Sequence, residues 1–271
     1  MDERRYKDAV AEAFDEAAEG YDLEAMRFFD NAAEELARSL PLGGGERVLD
    51  AATGTGKVAV AVARRLATGS VTGIDLSAGM LARAGRRAER AGVRNVEFQR
   101  SDVDEARVSP ASFDGLTCAF GVHFWSDMER SLGGILRAVR EGGFVAIASF
   151  AKGSFEPEAG ICLRKFAEFG VKLPEVYSYE RLDHPEKVAR LLQAVGTRDC
   201  VTRTFQAGHD LASPGDWWDL VRYTGFRAFL NQLTADEAAR YRDEFLSAVA
   251  ASAGGRRVVL NVEVILATAV R

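Results

Sequence analysis

Cysteine is scarce in this chain. Cys118, Cys162 and Cys200 are the only three among 271 residues, widely spaced and odd in number. That pattern excludes a disulfide framework and the paired spacing of a zinc site, so they read as free thiols of a reducing cytoplasm, and no metal is expected. No apolar run approaches the length that crosses a bilayer, and the start, Met1-Asp2-Glu3-Arg4-Arg5, lacks the apolar stretch of a secretory leader. Membrane insertion is therefore not expected, and a cytoplasmic location is. A basic run or basic aromatic face is also missing, and the net charge is −5, which argues against nucleic-acid binding. Repeats and low-complexity segments are absent.

What remains is an ordinary globular composition, long enough for one large α/β domain with insertions. Two helices open the chain. Val10, Phe14, Ala17 and Tyr21 share one helical stripe, and Phe29, Ala32, Ala33, Leu36 and Leu40 another, stopped by Pro41 and Gly43 to Gly45. Strand and helix segments then alternate, which predicts a Rossmann-like, mostly parallel sheet with helices on both faces. The predicted strands are Arg47–Ala52, Val71–Leu76, Val96–Arg100, Phe113–Phe120 and Gly143–Phe150. Ser77 reads as the N-cap of a helix that turns Leu81, Ala84 and Ala88 inward, and Ser126 to Glu129 reads as a capping box. Gly142-Gly143 would end the helix begun there.

After Phe150 the alternation breaks. Residues 151–182 and about 207–253 read as helical lid insertions, with Ser213-Pro214 and Thr234 to Glu237 as helix starts. Between them, Pro185 starts a helix carrying Val188, Leu191, Leu192 and Val195, and a sixth strand lies near Asp199–Phe205. The last segment, Arg257–Val270, is β-branched and apolar and reads as one buried strand. The domain expectation is a helical cap at 1–42 on a core at 43–271.

The chemistry concentrates in Val48-Leu49-Asp50-Ala51-Ala52-Thr53-Gly54-Thr55-Gly56-Lys57. An apolar strand ends in an acid and a glycine turn opens a helix. A second strand ends in Asp75, 21 residues after Gly54, and a third segment ends at Asp102. Glycines let the backbone approach a ligand, and a carboxylate after the second strand accepts from ribose hydroxyls. Gly54-x-Gly56-x-x-Ala59 alone also fits a dinucleotide binder. Asp50 discriminates, because a carboxylate at the first turn repels a pyrophosphate. S-adenosylmethionine (SAM) instead brings an ammonium and a sulfonium there. Asp50 either meets the amine, directly or through water, or holds the turn by a structural hydrogen bond.

At this point the chain resembles the class I SAM-dependent methyltransferases, and among them the ubiquinone/menaquinone-biosynthesis C-methyltransferases and their small-molecule relatives. The resemblance is carried by Val48 to Gly56, Gly73 to Leu81, Ser112 to Gly121, Arg137 to Phe144, and Phe14 with Tyr21-Asp22. It implies a seven-stranded sheet with the last strand antiparallel. It also implies that Asp75 binds both ribose hydroxyls and that Asp102 and the Val103 amide hold the adenine. The backbone from Ala51 through Thr53 and Gly54 to Gly56 would pack on the methionine part. Ala119 and Phe120 would line the sulfonium, Tyr21 would close over the cofactor, and Leu76, Met80 and Ser101 complete the set. Ala52 stands where many members have glycine, a mark of the quinone-pathway group. Gly121-Val122-His123-Phe124 replaces that group's Gly-x-Arg-Asn segment, which favours a secondary-metabolite acceptor.

His123, just past the fourth strand, is the candidate general base; the alternative is a residue that caps the strand or shapes the pocket. His184 reads as a helix cap and His209 as part of a polar loop. Lys57 reads as a solvated charge. Phe155, Phe166, Phe169, Tyr177, Tyr179, Trp217, Trp218 and Tyr223 are numerous for a solvated lid: two or three are expected to touch a flat acceptor, and the rest to form the lid's own core. The expected activity is methyl transfer from SAM to a small, partly apolar or aromatic molecule, at carbon, oxygen or nitrogen. Two rivals share the pattern, a SAM-fold cyclase and an NAD-dependent oxidoreductase, although no Tyr-x-x-x-Lys follows the cofactor half. A homodimer is the default expectation.

Overall fold

The computed structural model describes residues 3–271. Met1 and Asp2, which belong to the start read above as lacking a leader, lie outside the described residues. The strands are β1 (Arg47–Ala51), β2 (Ser70–Asp75), β3 (Val96–Arg100), β4 (Phe113–Ala119), β5 (Val139–Phe150), β6 (Arg198–Gln206), β7 (His209–Asp210), β8 (Val259–Leu260) and β9 (Glu263–Val270). Seven of them form one sheet in the order β3-β2-β1-β4-β5-β9-β6. The five on the β3 side are parallel, and β9 runs antiparallel to both β5 and β6. The mostly parallel, seven-stranded Rossmann-like expectation holds.

Period-2 alternation splits the sheet's side chains between two cores. Val48, Val71, Ala146 and Leu266 face one cluster, and Leu49, Leu116, Ile147 and Ile265 face the other. Helices α1 (Glu3–Ala17), α2 (Arg27–Ser39), α3 (Lys57–Ala63), α4 (Ala78–Arg90), α5 (Met128–Leu136), α6 (Glu158–Glu168), α7 (Pro185–Ala194), α8 (Asp216–Tyr223), α9 (Arg227–Leu230) and α10 (Ala235–Ala253) cover it. The first cluster takes α2, α3, α6, α8 and α10; the second takes α5 and α7. No helix of the described residues is long and apolar enough to cross a membrane.

Local chemistry explains several departures from the sequence reading. Asp127, not Ser126, caps α5, accepting from the Arg130 N–H at 3.0 Å. That helix ends at Leu136, well before Gly142, which has φ +73° and sits inside β5 where the pairing with β4 shifts register. Ser77 caps α4 as expected, but Met80 rather than Leu81 is the buried residue of its first turn. The terminal segment is not one strand. Asn261 separates β8 from β9, receiving a bond from Gln206 and donating to the Gly153 carbonyl, while β8 pairs with β7 instead of the main sheet.

The insertions build their own apolar centre. Phe166 stacks on Tyr241 at 4.1 Å, Tyr241 stacks on Phe245, and Trp217 meets Phe245 edge-on. All four are fully buried. They also anchor the N-terminal region. Arg227 bonds Glu16, His209 meets the Glu24 carbonyl, and Asn31 donates to the Ala207 carbonyl. Gly20 lies so close to Tyr223 that a Cβ would fall 2.1 Å from its ring.

Candidate functional site

A cleft at the carboxyl ends of β1, β2 and β4 is roofed by α1 and holds about 1190 Å3 of empty space, counting its open mouth. This is where parallel α/β sheets place their ligands. Its floor begins at β1. Asp50, 1% exposed, accepts from the hydroxyls of Thr53 and Thr117, each at 2.6 Å. The structural hydrogen bond is therefore made, and the residue still borders the cleft. Burial pushes its carboxyl up to about 6 against the pull of the two hydroxyls, with the charge of Asp75 adding to the rise.

Asp75 ends β2. Its Oδ2 accepts from the Gly54 N–H at 2.8 Å and its Oδ1 from the Ser77 N–H at 2.9 Å. One carboxylate thus fixes both the glycine turn and the start of α4. Burial raises its pKa despite these backbone donors. Gly54 needs its left-handed φ of +54°, and a Cβ there would meet nothing within 4 Å. Thr53, Leu76, Met80, Ser101, Asp102, Val103, Ala119, Phe120 and Tyr21 line the same cleft. Tyr21 stacks on Phe29 at 5.1 Å, and burial, followed by the charge of Asp75, raises its phenol. Phe120 adopts φ +59° and Ala52 φ +53°, costly conformations for residues with a side chain. Strained backbone thus lies at Phe120, on the wall where the sulfonium is expected, and at Ala52 in the turn after β1.

Three expected residues do not reach the cleft. Ala51 is wholly buried in the sheet, and Gly56 packs behind the turn, where a Cβ would lie 2.9 Å from Ala84 and 3.0 Å from Phe98. His123 is 3% exposed, lies against Phe124, and its Nδ1 finds no partner among the described residues. Burial, helped by Arg181, lowers it to about 3, so the ring is neutral and off the cleft wall. A general base there is corrected to a packed residue. His184 pairs with Asp183 at 2.7 Å instead of capping α7 by its side chain, and His209 sits in β7, not in a loop. None of the eight insertion aromatics borders the cleft.

The sequence predicts a helical cap with Tyr21 closing over the cofactor, but does not single out the residues of α1 that form the roof. Tyr6, Lys7, Val10, Ala11 and Phe14 of α1 all line the cleft, and Ala17 is the sole fully buried residue of that helix. Val10, Phe14 and Tyr21 of the stripe read from the sequence face this cavity, and only Ala17 of that stripe is buried away from it. Phe124, Trp125 and Ser126 line the cleft as well, and Phe14 meets Phe124 edge-on at 5.1 Å. Lys7 lies 2.8 Å from Asp102 and 2.5 Å from Asp104, so the Asp102 carboxylate holds an ammonium in this conformation. Burial alone would lower Lys7, but the two carboxylates outweigh it and raise its pKa. Lys57 is not solvated. Its side chain is 8% exposed and bonds Asp30 at 2.5 Å, with Asp22 at 3.6 Å.

The Asp50 carboxyl gives a pH prediction. Above about pH 6 it is charged and attracts a cationic ligand; below, it is neutral. SAM affinity is expected to be about tenfold weaker at pH 5 than at pH 7 by linkage, with Asp50→Asn flattening the dependence. Calorimetry at both pH values reads this, and equal affinities in the parent protein would refute it.

A family model described as a methyltransferase domain matches residues 48–143. The ubiquinone/menaquinone biosynthesis C-methyltransferase UbiE of Bdellovibrio bacteriovorus is 35% identical over 108 residues, 40% of this chain and 46% of that enzyme. The chain thus spans under half the length of that relative. The aklanonic acid methyltransferase DauC of a Streptomyces species is 30% identical over 158 residues, 57% of this chain and 72% of its own. Among solved structures, the YcgJ protein of Bacillus subtilis superposes with a TM-score of 0.58 at 16% identity, covering 89% of this chain and 98% of that one. At that identity the likeness concerns the fold.

Proposed function

Because the chain belongs to the class I SAM-dependent methyltransferases, we propose that it transfers a methyl group from SAM to a small, partly apolar or aromatic acceptor, at carbon, oxygen or nitrogen. One observation carries the reading. Two carboxylates, the buried Asp50 and the half-buried Asp75, flank a glycine turn at the floor of a cleft that many apolar side chains also line. Both are desolvated and lifted in pKa, so a cationic ligand relieves them where a pyrophosphate would be repelled. The open space in front of Gly54 also suits a closely approaching ligand.

When bound, SAM supplies an electrophilic methyl on a cationic sulfur. The chain's own task is alignment, and such positioning is worth about 7–11 kcal/mol of barrier. In this proposal Asp75 accepts from the ribose and Asp50 faces the positive end. Thr53, Gly54, Ala119 and Phe120 shape the reacting region, Leu76, Met80, Ser101, Asp102 and Val103 the adenine end, and Tyr21 closes over the cofactor. No general base is assigned. Residues 1–42 act as a helical cap on the core at 43–271, and the insertions hold that cap in place. A secondary-metabolite acceptor, a homodimer and a cytoplasmic location belong to the same proposal, and sedimentation equilibrium checks the second. Mass spectrometry of product tests the reaction: one added methylene unit is expected, and an isomer of unchanged mass would favour a cyclase instead.

A further inference from the structure

Tyr21 borders the cleft, and both of its chain neighbours are anchored to other elements. On one side Gly20 packs under the ring of Tyr223 in α8. On the other stands Asp22, whose carboxylate accepts a hydrogen bond from Nη2 of Arg87 in α4. Among the described residues this is its only hydrogen bond. Its Oδ2 is buried without a partner, and Lys57 and Arg83 at 3.6 Å and Arg90 at 3.8 Å add charge alone. The same guanidinium reaches two further segments. Nη1 donates to Asp30 of α2 at 3.0 Å, and Nε donates to the Thr55 carbonyl of the glycine turn at 3.1 Å. One side chain thus joins the turn that carries Tyr21, the helix that carries Phe29 and the turn that carries Thr53 and Gly54. All three segments put residues on the cleft wall, while Arg87 itself does not line it. A planar fork with several fixed donors can hold three segments at once, which a single ammonium cannot. Lys57 also bonds Asp30, so that acid keeps a cation when Arg87 is replaced.

We propose that Arg87 is a positioning residue for the cofactor: by tying Asp22 to the Thr55 carbonyl, it fixes Tyr21 against the glycine turn before the ligand arrives. This rests on the methyltransferase reading, in which Tyr21 closes over SAM. An anchor already made in the unliganded protein spares the ligand the cost of ordering the turn, so the contribution of Arg87 to affinity passes through Tyr21. The Tyr223 contact at Gly20 is the apolar half of the same clamp, and Arg87 is the polar half.

The test is a double-mutant cycle on the affinity for S-adenosylhomocysteine (SAH), read by calorimetry on folded protein. Arg87→Met and Tyr21→Ala are each expected to weaken SAH about tenfold. The double variant is expected to lose about tenfold as well, not the product of about a hundredfold, because Arg87 has nothing to position once the Tyr21 ring is gone. Arg87→Lys is expected to match Arg87→Met, since an ammonium cannot serve three segments. Hydrogen exchange from Ala18 to Met26 in the unliganded protein is expected to be faster in Arg87→Met. A role in stability alone leaves the affinity of the folded protein unchanged, so the cycle is the decisive readout. Additive losses, parental affinity in either single variant, parental affinity in Arg87→Lys, or unchanged exchange would overturn the proposal. If Arg87→Met does not fold, Asp22→Asn takes its place in the cycle with the same expectations. Absence of SAH binding in the parent protein overturns the methyltransferase reading and this proposal with it, whereas binding with additive losses overturns this proposal alone.

Discussion

Replacing Asp75 by alanine is expected to weaken SAH binding at least about a hundredfold, near 3 kcal/mol, because a charged acceptor and its backbone bonds are lost together. The effect has two parts. Asp75 is positioned to accept from ligand hydroxyls, and it also ties the Gly54 N–H of the glycine turn to the Ser77 N–H at the start of α4. Asp75→Asn separates them. The amide keeps one oxygen and the volume, so the turn stays near its place while the charge is gone, and an intermediate loss is expected. Calorimetry with SAH reads both. Unchanged affinity in Asp75→Ala would remove the second strand's carboxylate from the cofactor site.

Trp217→Ala is expected to cost about 3–5 kcal/mol of folding stability, the range for truncating a fully buried large aromatic. Trp217 is 0% exposed and touches Phe155, Phe226 and Phe245, all in or beside the insertions. It does not border the cleft. SAH affinity of the folded fraction is therefore expected to stay within about twofold, the scale of a distant, uncoupled site. Urea unfolding gives the first quantity and calorimetry below the transition gives the second. A large loss of SAH affinity with unchanged stability would return the insertion aromatics to the ligand.

The cofactor half was legible because its signals are local. A strand ending in an acid, a glycine turn and a second acid fix one another through bonds between near neighbours, as Asp50 with Thr53 and Asp75 with Ser77 do. The sheet was legible for the same reason, since β-branched runs alternate with helical stripes. Residues whose role depends on distant chain segments were not. Lys57 reads as a solvated helix start, yet Asp30, 27 positions earlier, buries it in an ion pair. His123 reads as a strand-end base, and only the packed loop shows its ring buried against Phe124. The insertion aromatics carry no periodicity that separates a lid's own core from a ligand wall. The stripe on α1 did carry a signal, but burial alone tells a core-facing stripe from one that roofs a cavity.

The most direct test of the cofactor site is a calorimetric titration of the purified protein with SAH and, separately, with NAD. The account predicts a saturable one-site heat with SAH and none with NAD. Heat with NAD and none with SAH would contradict it, since a pyrophosphate would then occupy a floor built from Asp50 and Asp75.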